Sequence, residues 1–301
     1  MNERGRFAPS PTGQLHLGNA RTALLSWLWA RSEGGEHLVR VEDLDRPRVQ
    51  PGLAQIQLDE LQWLGLDWDA EPLWQSRRTA EYDAAIAQLG EHVFECFCSR
   101  AEIAAASAPH GPSDDGPRYP GTCRELTQAQ RAARRKGRAP ALRLRVPAGP
   151  ITFTDAIAGP QEFDVSAQTG DFVLRRADGI HAYQLAVVVD DAASGVTQVL
   201  RGADLLPSTA RQLLLYRLLG KRPPRWAHVP LVVSASGERL AKRDRSTSLS
   251  ALRAAGTDPR HIVAGLAALS GLPAESDPRR LIAAFSLAAI PRENVPFPPA
   301  P

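Results

Sequence analysis

The chain opens with a pattern that predicts a strand, a loop, a helix and a second strand. Residues 6–8 predict a short strand, and residues 9–13, which contain two prolines and a glycine, predict a loop. Between residues 19 and 31 the apolar side chains recur at the period of a helix. Two glycines at 34–35 end that helix, and residues 37–41 predict the second strand. A strand–helix–strand unit of this kind implies a parallel sheet with helices packed on it.

Composition narrows the class of protein. The 301 residues suffice for about two domains, and 43% hydrophobic with 23% charged residues excludes a disordered chain. No run approaches the roughly 18 apolar residues of a membrane helix, and the N-terminal residues lack the apolar core of a signal peptide. We therefore expect a cytoplasmic protein with no membrane partner. The formal net charge of +3 permits a nucleic-acid partner without requiring one.

The loop before the first predicted helix carries groups that suit a phosphate. His16 can donate a hydrogen bond to a phosphate oxygen, and Gly18 lets a ligand approach the backbone closely. The N-terminus of the helix adds free N–H groups and the positive end of the helix dipole. Taken alone, the pattern is more typical of a capping loop with an incidental histidine.

A second polar segment, residues 238–244, lies more than 200 residues downstream in a predicted loop. It contains Lys242, one of only three lysines in the chain. A mobile lysine here could reach the phosphates of a bound nucleotide and stabilise the charge that develops as pyrophosphate leaves. A lysine beside an arginine is otherwise typical of a solvated loop.

Together these segments resemble the signatures of the class I aminoacyl-tRNA synthetases. Residues 16–19 stand where that family carries its HIGH motif, and residues 239–243 stand where it carries KMSKS. Four more segments resemble the glutamyl branch and follow in the right order: residues 6–13, 39–45, 183–191 and 201–204. The resemblance covers about residues 4 to 245. It implies an α/β fold, with a Rossmann-like class I synthetase catalytic domain, a zinc-binding insertion and a short C-terminal helical segment.

The resemblance also implies roles for the residues of both motifs. His16, Asn19 and Lys242 stand at catalytic positions, and His16, Gly18 and Lys242 stand at ATP-binding positions, with Mg²⁺ accompanying the ATP. Asn19 replaces the second histidine of the first motif. An asparagine can still donate a hydrogen bond, so we expect a competent site.

The second motif departs further from the family pattern. Arg239 and Ala241 stand where the family has its first lysine and its serine. Lys242, the second lysine of the motif, is retained.

The charges of free glutamate predict its pocket, because two carboxylates need cations and an ammonium needs an anion. Arg6 and Arg201 each stand at the end of a predicted strand, where side chains reach the crevice of a parallel sheet. Glu42 can hold the ammonium, and Ser10 and Tyr183 supply hydroxyls. The resemblance puts glutamate contacts at these five positions. An ordinary ion pair between Arg6 and Glu42 is the alternative.

Three clustered cysteines suggest a metal. Cys96, Cys98 and Cys123 fall within 28 residues, and an odd number argues against a disulfide framework. Three thiolates leave one place in a tetrahedral zinc site, for which His110 is chemically the obvious ligand. The spacing of Tyr119 and Cys123 instead resembles the glutamyl-queuosine tRNA(Asp) synthetases, whose zinc is held by three cysteines and a tyrosine. We predict one structural zinc on Cys96, Cys98, Tyr119 and Cys123, the alternative being three unmetallated thiols.

A basic run follows the cysteines. Residues 124–145 contain eight basic residues against one acidic residue, Glu125. Such a run could neutralise RNA phosphates or form a solvated helix face, and the sequence leaves both open.

The length of the chain bears on the branch of the family. Only about fifty-five residues follow the Lys242 loop, fewer than the anticodon-binding region of glutamyl-tRNA synthetases needs. We predict four parts: a first catalytic half, a zinc-containing insertion, a second catalytic half with the KMSKS-like loop, and a helical end, at 1–95, 96–180, 181–245 and 246–301.

The resemblance to the glutamyl-queuosine enzymes implies ATP-dependent activation of L-glutamate. It also implies transfer of the glutamate to queuosine at the wobble position of tRNA(Asp), by a monomer. The alternatives are a minimal glutamyl-tRNA synthetase that charges a tRNA 3′ end, and a non-catalytic synthetase-like protein that binds RNA.

Overall fold

The computed structural model describes residues 3–107, 117–233 and 248–296. The strands of these ranges are β1 (Arg4–Phe7), β2 (Glu36–Val41), β3 (Leu73–Trp74), β4 (Val93–Cys96), β5 (Ala141–Leu144), β6 (Ile151–Asp155), β7 (Gly159–Phe163), β8 (Val173–Arg175), β9 (Gln198–Gly202), β10 (Arg225–Val229), β11 (Val232–Val233) and β12 (Val295–Pro296). The helices are α1 (Leu17–Ser32), α2 (Leu53–Trp63), α3 (Thr79–Leu89), α4 (Arg100–Ser107), α5 (Gln128–Arg135), α6 (Val165–Gln168), α7 (Tyr183–Ala193), α8 (Leu206–Leu218), α9 (Leu249–Ala254), α10 (Pro259–Ala268) and α11 (Pro278–Leu281).

Two blocks of parallel strands lie side by side and form the main sheet. In one block β2 lies between β1 and β3, and in the other β9 pairs with β10. Strand β1 adjoins β9, where the N–H of Thr197 donates to the carbonyl of Arg4 at 2.9 Å. The spatial order is therefore β3-β2-β1-β9-β10. The chain adds β2 and β3 on one side of β1 and adds β9 and β10 on the other, so the order in which strands are added reverses between β1 and β9. In open parallel sheets, ligands bind in the crevice that such a reversal leaves beyond the carboxyl ends of the strands.

Helix α1, which joins β1 to β2, is buried on almost every side. It packs against β1, β2 and β9 on one side and against α10 and α11 on the other. Trp27 is fully enclosed, and its indole N–H donates to Asp67 at 2.8 Å. A helix that is apolar all round lies in the core of a protein, which explains why the N-terminus of α1 is held firmly beside the crevice.

The insertion between β4 and α7 is built on small antiparallel sheets. Strand β5 pairs with β4 and β8, and β6 forms a hairpin with β7. Phe94, Phe97 and Ile103 form an apolar cluster of their own with the cysteines. The predicted boundaries of the four parts at 95, 180 and 245 stay predictions.

The predicted opening unit is confirmed, since β1, α1 and β2 follow in the expected order. Helix α8 differs from the sequence prediction. The sequence predicts a helix that is capped by Ser208 and runs to Leu219. Helix α8 instead begins at Leu206 with Pro207 in its first turn, where a missing N–H costs nothing. The hydroxyl of Ser208 faces inward and accepts hydrogen bonds from Gln184 and Arg211.

One predicted strand is divided. The apolar run 229–233 predicts a continuous strand, but Pro230 separates β10 from β11 because proline has no N–H for a ladder. Beyond β11, the predicted helical end contains α9, α10 and α11. Across the described ranges, every helix is too short or too polar to span a bilayer.

Two buried histidines make the stability of the fold depend on pH. Burial lowers the pKa of His37 to about 3 and that of His228 to about 4. Arg31 adds to the effect at His37, which Asp69 opposes, and Arg201 adds to it at His228, which Asp155 opposes. Both imidazoles are therefore neutral in the folded protein. In the unfolded chain they take up protons below about pH 6.5.

We expect the free energy of unfolding to fall as the pH is lowered from 7.5 to 5.5, by about 1.4 kcal/mol for each of these histidines. Urea unfolding at both pH values measures the change. The His37→Gln variant removes one of the two protons, so its pH dependence is expected to be shallower by that amount. Equal pH dependence in the two proteins would contradict a neutral buried His37.

Candidate active site

A cleft of about 750 Å³ opens at the carboxyl ends of β1 and β9. Its walls come from the loop after β1, the start of α1, and the ends of β2, β9 and β10. The cleft brings together the residues predicted to bind glutamate or ATP within the described ranges: Arg6, Ser10, His16, Gly18, Asn19, Glu42, Tyr183 and Arg201. Their common location follows from the strand order, although their roles stay predictions.

Lys242 lies outside the described residues, as do Arg239 and Ala241. The described residues on both sides of that segment lie at the cleft. Val232 lines it, and Ser248 forms an isolated β-bridge with His16. The chain that carries Lys242 therefore leaves and re-enters the described structure beside the first motif.

The start of α1 offers hydrogen-bond donors to the cleft. The backbone N–H of His16 donates to Oδ1 of Asn19 at 3.1 Å, which fixes the asparagine at the first turn. The amide nitrogen of Asn19 has no hydrogen-bond partner among the described residues. No acidic residue occupies the first turn of α1, so the positive end of this 16-residue helix is not neutralised locally. This end of the cleft suits an anion.

Arg201 is a buried guanidinium whose hydrogen-bond partners among the described residues are all uncharged. Arg201 is 4% exposed. The guanidinium donates to Nε2 of His228 at 2.9 Å, to Oε1 of Gln212 at 2.9 Å and to Oγ1 of Thr209 at 2.8 Å. The hydroxyl of Tyr183 lies 3.5 Å from Nη1. Burial lowers the pKa of Arg201, because a buried cation without a counter-ion is costly. An anionic ligand in the cleft would compensate for that cost.

Arg6 is bound differently, because it faces a carboxylate. Its Nε lies 3.2 Å from Oδ1 of Asp191, and its Nη2 lies 3.3 Å from Oδ2. The ion pair with Glu42 that the sequence left open is not among the contacts of the described residues. Oε1 of Glu42 instead accepts a hydrogen bond from Nη2 of Arg40 at 3.1 Å, and Arg40 also pairs with Asp191.

The carboxylate of Glu42 stands at the wall of the cleft. Its Oε2 accepts from the hydroxyl of Ser10 at 3.5 Å. Burial raises the pKa of Glu42, and the nearby guanidinium groups of Arg40 and Arg6 oppose that rise. The cleft thus presents an anion at Glu42 and an unneutralised cation at Arg201. Arg40 and Asp191 were not among the site residues predicted from the sequence, although the acidic pair in an otherwise apolar helix was a signal for Asp191.

A second cleft, of about 810 Å³, shares Glu42 and Tyr183 with the first. It lies between the main sheet and the insertion and was not predicted from the sequence. Guanidinium groups from both regions line it: Arg48, Arg100, Arg138, Arg143 and Arg176. The ion pair between Arg176 and Asp45, at 3.2 Å, crosses from one region to the other.

The three cysteines meet in the insertion. Their sulfur atoms all lie within 4.8 Å of one another. The hydroxyl oxygen of Tyr119 lies 3.5 Å from Sγ of Cys96 and accepts the backbone N–H of Cys123 at 2.8 Å. His110 lies outside the described residues. Four potential ligands from the predicted set are therefore adjacent.

The chemistry of this cluster favours a bound cation. Burial raises the pKa of Cys98 to about 12, and the neighbouring sulfurs add to the rise because three thiolates repel one another. Burial also acts against ionisation of Cys96, but hydrogen bonds from Tyr119 and the backbone outweigh it and lower the pKa of that thiol. A metal ion would remove the repulsion among the sulfurs. The donor set fits such an ion.

The basic run 124–145 is largely engaged within the insertion. Four of its members pair with acidic residues: Arg124 with Asp171, Arg135 with Glu95, Arg138 with Glu102 and Arg145 with Glu125. These contacts support a structural role for those four arginines.

Known proteins match this chain along almost its whole length. Residues 3–284 match the family described as tRNA synthetases class I (E and Q), catalytic domain. The Glutamyl-Q tRNA(Asp) synthetase of Symbiobacterium thermophilum is 53% identical, over 98% of this chain and 95% of that protein. The chain belongs to the glutamyl-Q tRNA(Asp) synthetases, a family of class I tRNA synthetases. The predicted resemblance is confirmed.

Longer relatives of the class also match this member of the family. A Glutamate--tRNA ligase from a Synechococcus species is 42% identical, and the match covers 92% of this chain but 59% of that ligase. The crystal structure of a glutamate-tRNA synthetase from Elizabethkingia anophelis superimposes with a TM-score of 0.85 at 27% identity, over 99% of this chain and 68% of that one. The predicted α/β class I catalytic fold is therefore confirmed.

The uncompensated charge of Arg201 leads to a binding prediction. We expect L-glutamate to raise the melting temperature of the wild-type protein, by an amount that corresponds to about 2.7 kcal/mol at a concentration one hundred times Kd. In Arg201→Gln this stabilisation should be lost, because the cation is gone. Arg225→Gln, at the opposite end of the neighbouring strand, is the matched control and should respond as the wild type does. Equal stabilisation of Arg201→Gln would contradict the assignment.

Proposed function

We propose that this protein activates L-glutamate with ATP and transfers the glutamyl group to queuosine at the wobble position of tRNA(Asp). The observation that carries the proposal is the first cleft, where a carboxylate, a helix N-terminus and a buried cation with no charged hydrogen-bond partner in the described ranges face one cavity. These groups complement the two ends of glutamate and the phosphates of ATP. The names of the relatives support the acceptor.

Glutamate is held by charge complementarity. Arg201 receives one carboxylate, because its guanidinium is oriented by neutral acceptors and keeps its full charge. Nε and Nη2 of Arg6 donate to Asp191, and Nη1, which contacts no acceptor among the described residues, can donate to the substrate. Glu42 receives the ammonium, with the hydroxyls of Ser10 and Tyr183 completing the pocket.

In the first step, an oxygen of the ionised α-carboxylate attacks the α-phosphorus of ATP. A carboxylate–phosphorus bond forms, the bond to the β-phosphate oxygen breaks, and pyrophosphate leaves. No general base is needed, because the nucleophile already carries its charge. His16, Asn19, the N-terminus of α1 and Lys242 align the phosphates and stabilise their charge. ATP binds as its magnesium complex, which supplies further positive charge.

In the second step, a hydroxyl of the acceptor attacks the carbonyl carbon of the glutamyl-adenylate. An ester bond forms, AMP leaves, and a phosphate oxygen of the leaving AMP can take the proton. The second cleft supports an RNA acceptor, because the five arginines that line it outnumber its three acidic residues, and because it reaches the first cleft at Glu42 and Tyr183. The relatives favour the queuosine acceptor over a tRNA 3′ end, since this chain is 53% identical to a glutamyl-Q enzyme and 42% identical to a charging enzyme.

We further propose that Cys96, Cys98, Cys123 and Tyr119 hold one structural zinc ion. Three sulfurs and one oxygen match the number and type of ligands in a tetrahedral site. The guanidinium of Arg143 lies 4.0 Å from the centre of the Tyr119 ring, which keeps the phenol in place. The ion would link the end of β4 to the loop that leads into α5 and so order the floor of the second cleft.

Glutamate-dependent ATP–pyrophosphate exchange tests the first step. We expect exchange without tRNA, and a reduction of roughly 10²- to 10³-fold in kcat for His16→Ala, because a donor to the phosphates is lost. Gln55→Ala, on the exposed side of α2, is the control. Exchange that requires tRNA would favour the charging enzyme, and no exchange from folded protein would favour the non-catalytic alternative.

The position of labelled glutamate tests the second step. After incubation with tRNA(Asp) that contains queuosine, nuclease digestion should release the label with the wobble nucleoside. We expect Arg48→Ala together with Arg176→Ala to weaken this transfer while exchange stays within about threefold, because the second cleft and not the first is altered. Label on the 3′-terminal ribose would overturn the proposed acceptor.

Metal analysis tests the cysteine cluster. The purified protein should contain one zinc per chain, and Cys98→Ser or Cys123→Ser should abolish it. Tyr119→Phe should weaken zinc retention against a chelator, because only the oxygen ligand is removed. Glu102→Gln, an exposed residue of the same insertion, is the control. Full zinc retention in Tyr119→Phe would leave the three cysteines with a different fourth ligand.

A further inference from the structure

Two buried residues, His228 and Asp155, lie next to Arg201 without lining the cleft. His228 pairs with Arg201 in the register of β10 and β9, so both side chains emerge on one side of the sheet. Nε2 of His228 lies 2.9 Å from Nε of Arg201, and Nδ1 lies 2.6 Å from Oδ2 of Asp155. His228 and Asp155 are each 1% exposed, and neither lines the cleft. Successive hydrogen bonds therefore connect Asp155, at the hairpin β6–β7, through His228 to Arg201 at the cleft.

The contacts of Asp155 fix the protonation of the histidine. Its Oδ1 accepts the backbone N–H groups of Ile157, Ala158 and His228, at 3.0, 2.9 and 3.1 Å. These bonds favour the carboxylate, which therefore accepts the proton on Nδ1 of His228. Because the imidazole is neutral, Nε2 presents its lone pair to the N–H of Arg201. An arginine cannot give up its proton here, so this tautomer is the one that the three groups allow.

The remaining sides of the guanidinium are also occupied by neutral oxygen atoms. Oγ1 of Thr209 and Oε1 of Gln212, both on α8, accept from Nη2 and Nη1. Asp204 is a further acidic group that acts on His228 at longer range. Asp155 is therefore the carboxylate aligned with Arg201, and an imidazole separates the two.

Arg6, which lines the same cleft, differs from Arg201 in having a carboxylate as a direct partner. Asp191 contacts its guanidinium directly and neutralises part of its charge. At Arg201 a direct carboxylate would compete with the substrate, whereas a neutral imidazole orients the guanidinium without that competition. Orientation matters, because the N–H groups of a guanidinium have a fixed geometry. The longest contact of the Arg201 guanidinium is the one from Nη1 to the hydroxyl of Tyr183, at 3.5 Å, and Tyr183 lines the cleft.

We propose that Asp155 and His228 are positioning residues that orient Arg201 for the carboxylate of glutamate while leaving its positive charge available to the substrate. The inference rests on the proposed function, in which Arg201 binds that carboxylate. Neither residue touches glutamate or ATP in this arrangement. Their effect should therefore appear in the binding of one substrate and not in the chemical step.

Steady-state pyrophosphate exchange tests the inference. Asp155→Asn keeps the size of the side chain but puts an N–H₂ group opposite Nδ1, so the imidazole proton moves to Nε2 and faces Arg201. His228→Leu removes the acceptor. For both variants we expect the KM for glutamate to rise about 10- to 100-fold, with kcat and the KM for ATP within about threefold of wild type.

A conservative variant and a matched control separate positioning from stability. His228→Gln retains an acceptor oxygen toward Arg201 and should recover most of the glutamate affinity. His37→Leu removes another buried imidazole of the same sheet and should change stability without changing the KM for glutamate. Thermal melting verifies that each variant is folded. If His228→Leu does not fold, Asp155→Asn alone provides the test.

The outcomes distinguish the inference from the proposed function. Wild-type exchange with an unchanged glutamate KM in Asp155→Asn would overturn the inference alone. Equal losses for glutamate and ATP, or the same loss in His37→Leu, would show a structural role and overturn it too. Absence of glutamate-dependent exchange in folded wild-type protein would overturn the proposed function, and the inference with it.

Discussion

The buried carboxylates of α7 hold the side chains of Arg6 and Arg40 in place beside the first cleft. Asp190 accepts hydrogen bonds from Gln75, Arg78 and Tyr82, at 2.8, 2.7 and 2.8 Å, and Asp191 pairs with Arg6 and Arg40. Two adjacent buried anions are tolerated only when such partners surround them. The partners come from β1, β2, the start of α3 and the turn before it, so helix α7 joins both halves of the catalytic region at one point. The location of Arg6 and Glu42 depends on this cluster, because Asp191 pairs with Arg6 directly and is connected to Glu42 through Arg40.

Local patterns in the sequence were enough to find the first cleft. The period of α1, the glycines after it and the short strands around it identify the strand–loop–helix unit, and the motif residues fall at strand ends where a parallel sheet exposes them. The cysteines and Tyr119 lie close along the chain, so their spacing indicated a cluster. In each case the deciding information lies within a few dozen residues.

What the sequence did not predict depends on pairs that are far apart along the chain. Arg40 meets Asp191 across 151 positions, and His228 meets Asp155 across 73. The second cleft combines residues between 42 and 183, which no local period connects. The basic run was ambiguous for the same reason, because the acidic partners of Arg124 and Arg135 lie elsewhere in the insertion. Burial and pairing, which only the fold supplies, distinguish a structural arginine from one that is available to a ligand.

The wall that the two clefts share has a chemical consequence. A mixed anhydride of a carboxylic acid and a phosphate hydrolyses readily, so an enzyme that forms one must keep it from water until the acceptor arrives. Glu42 and Tyr183 line both cavities, so an acceptor in the second cleft would lie next to the cavity proposed to hold the intermediate. In the proposed mechanism the activated amino acid then need not diffuse between separate sites, because the two residues proposed to bind the amino acid also line the cavity proposed for the acceptor.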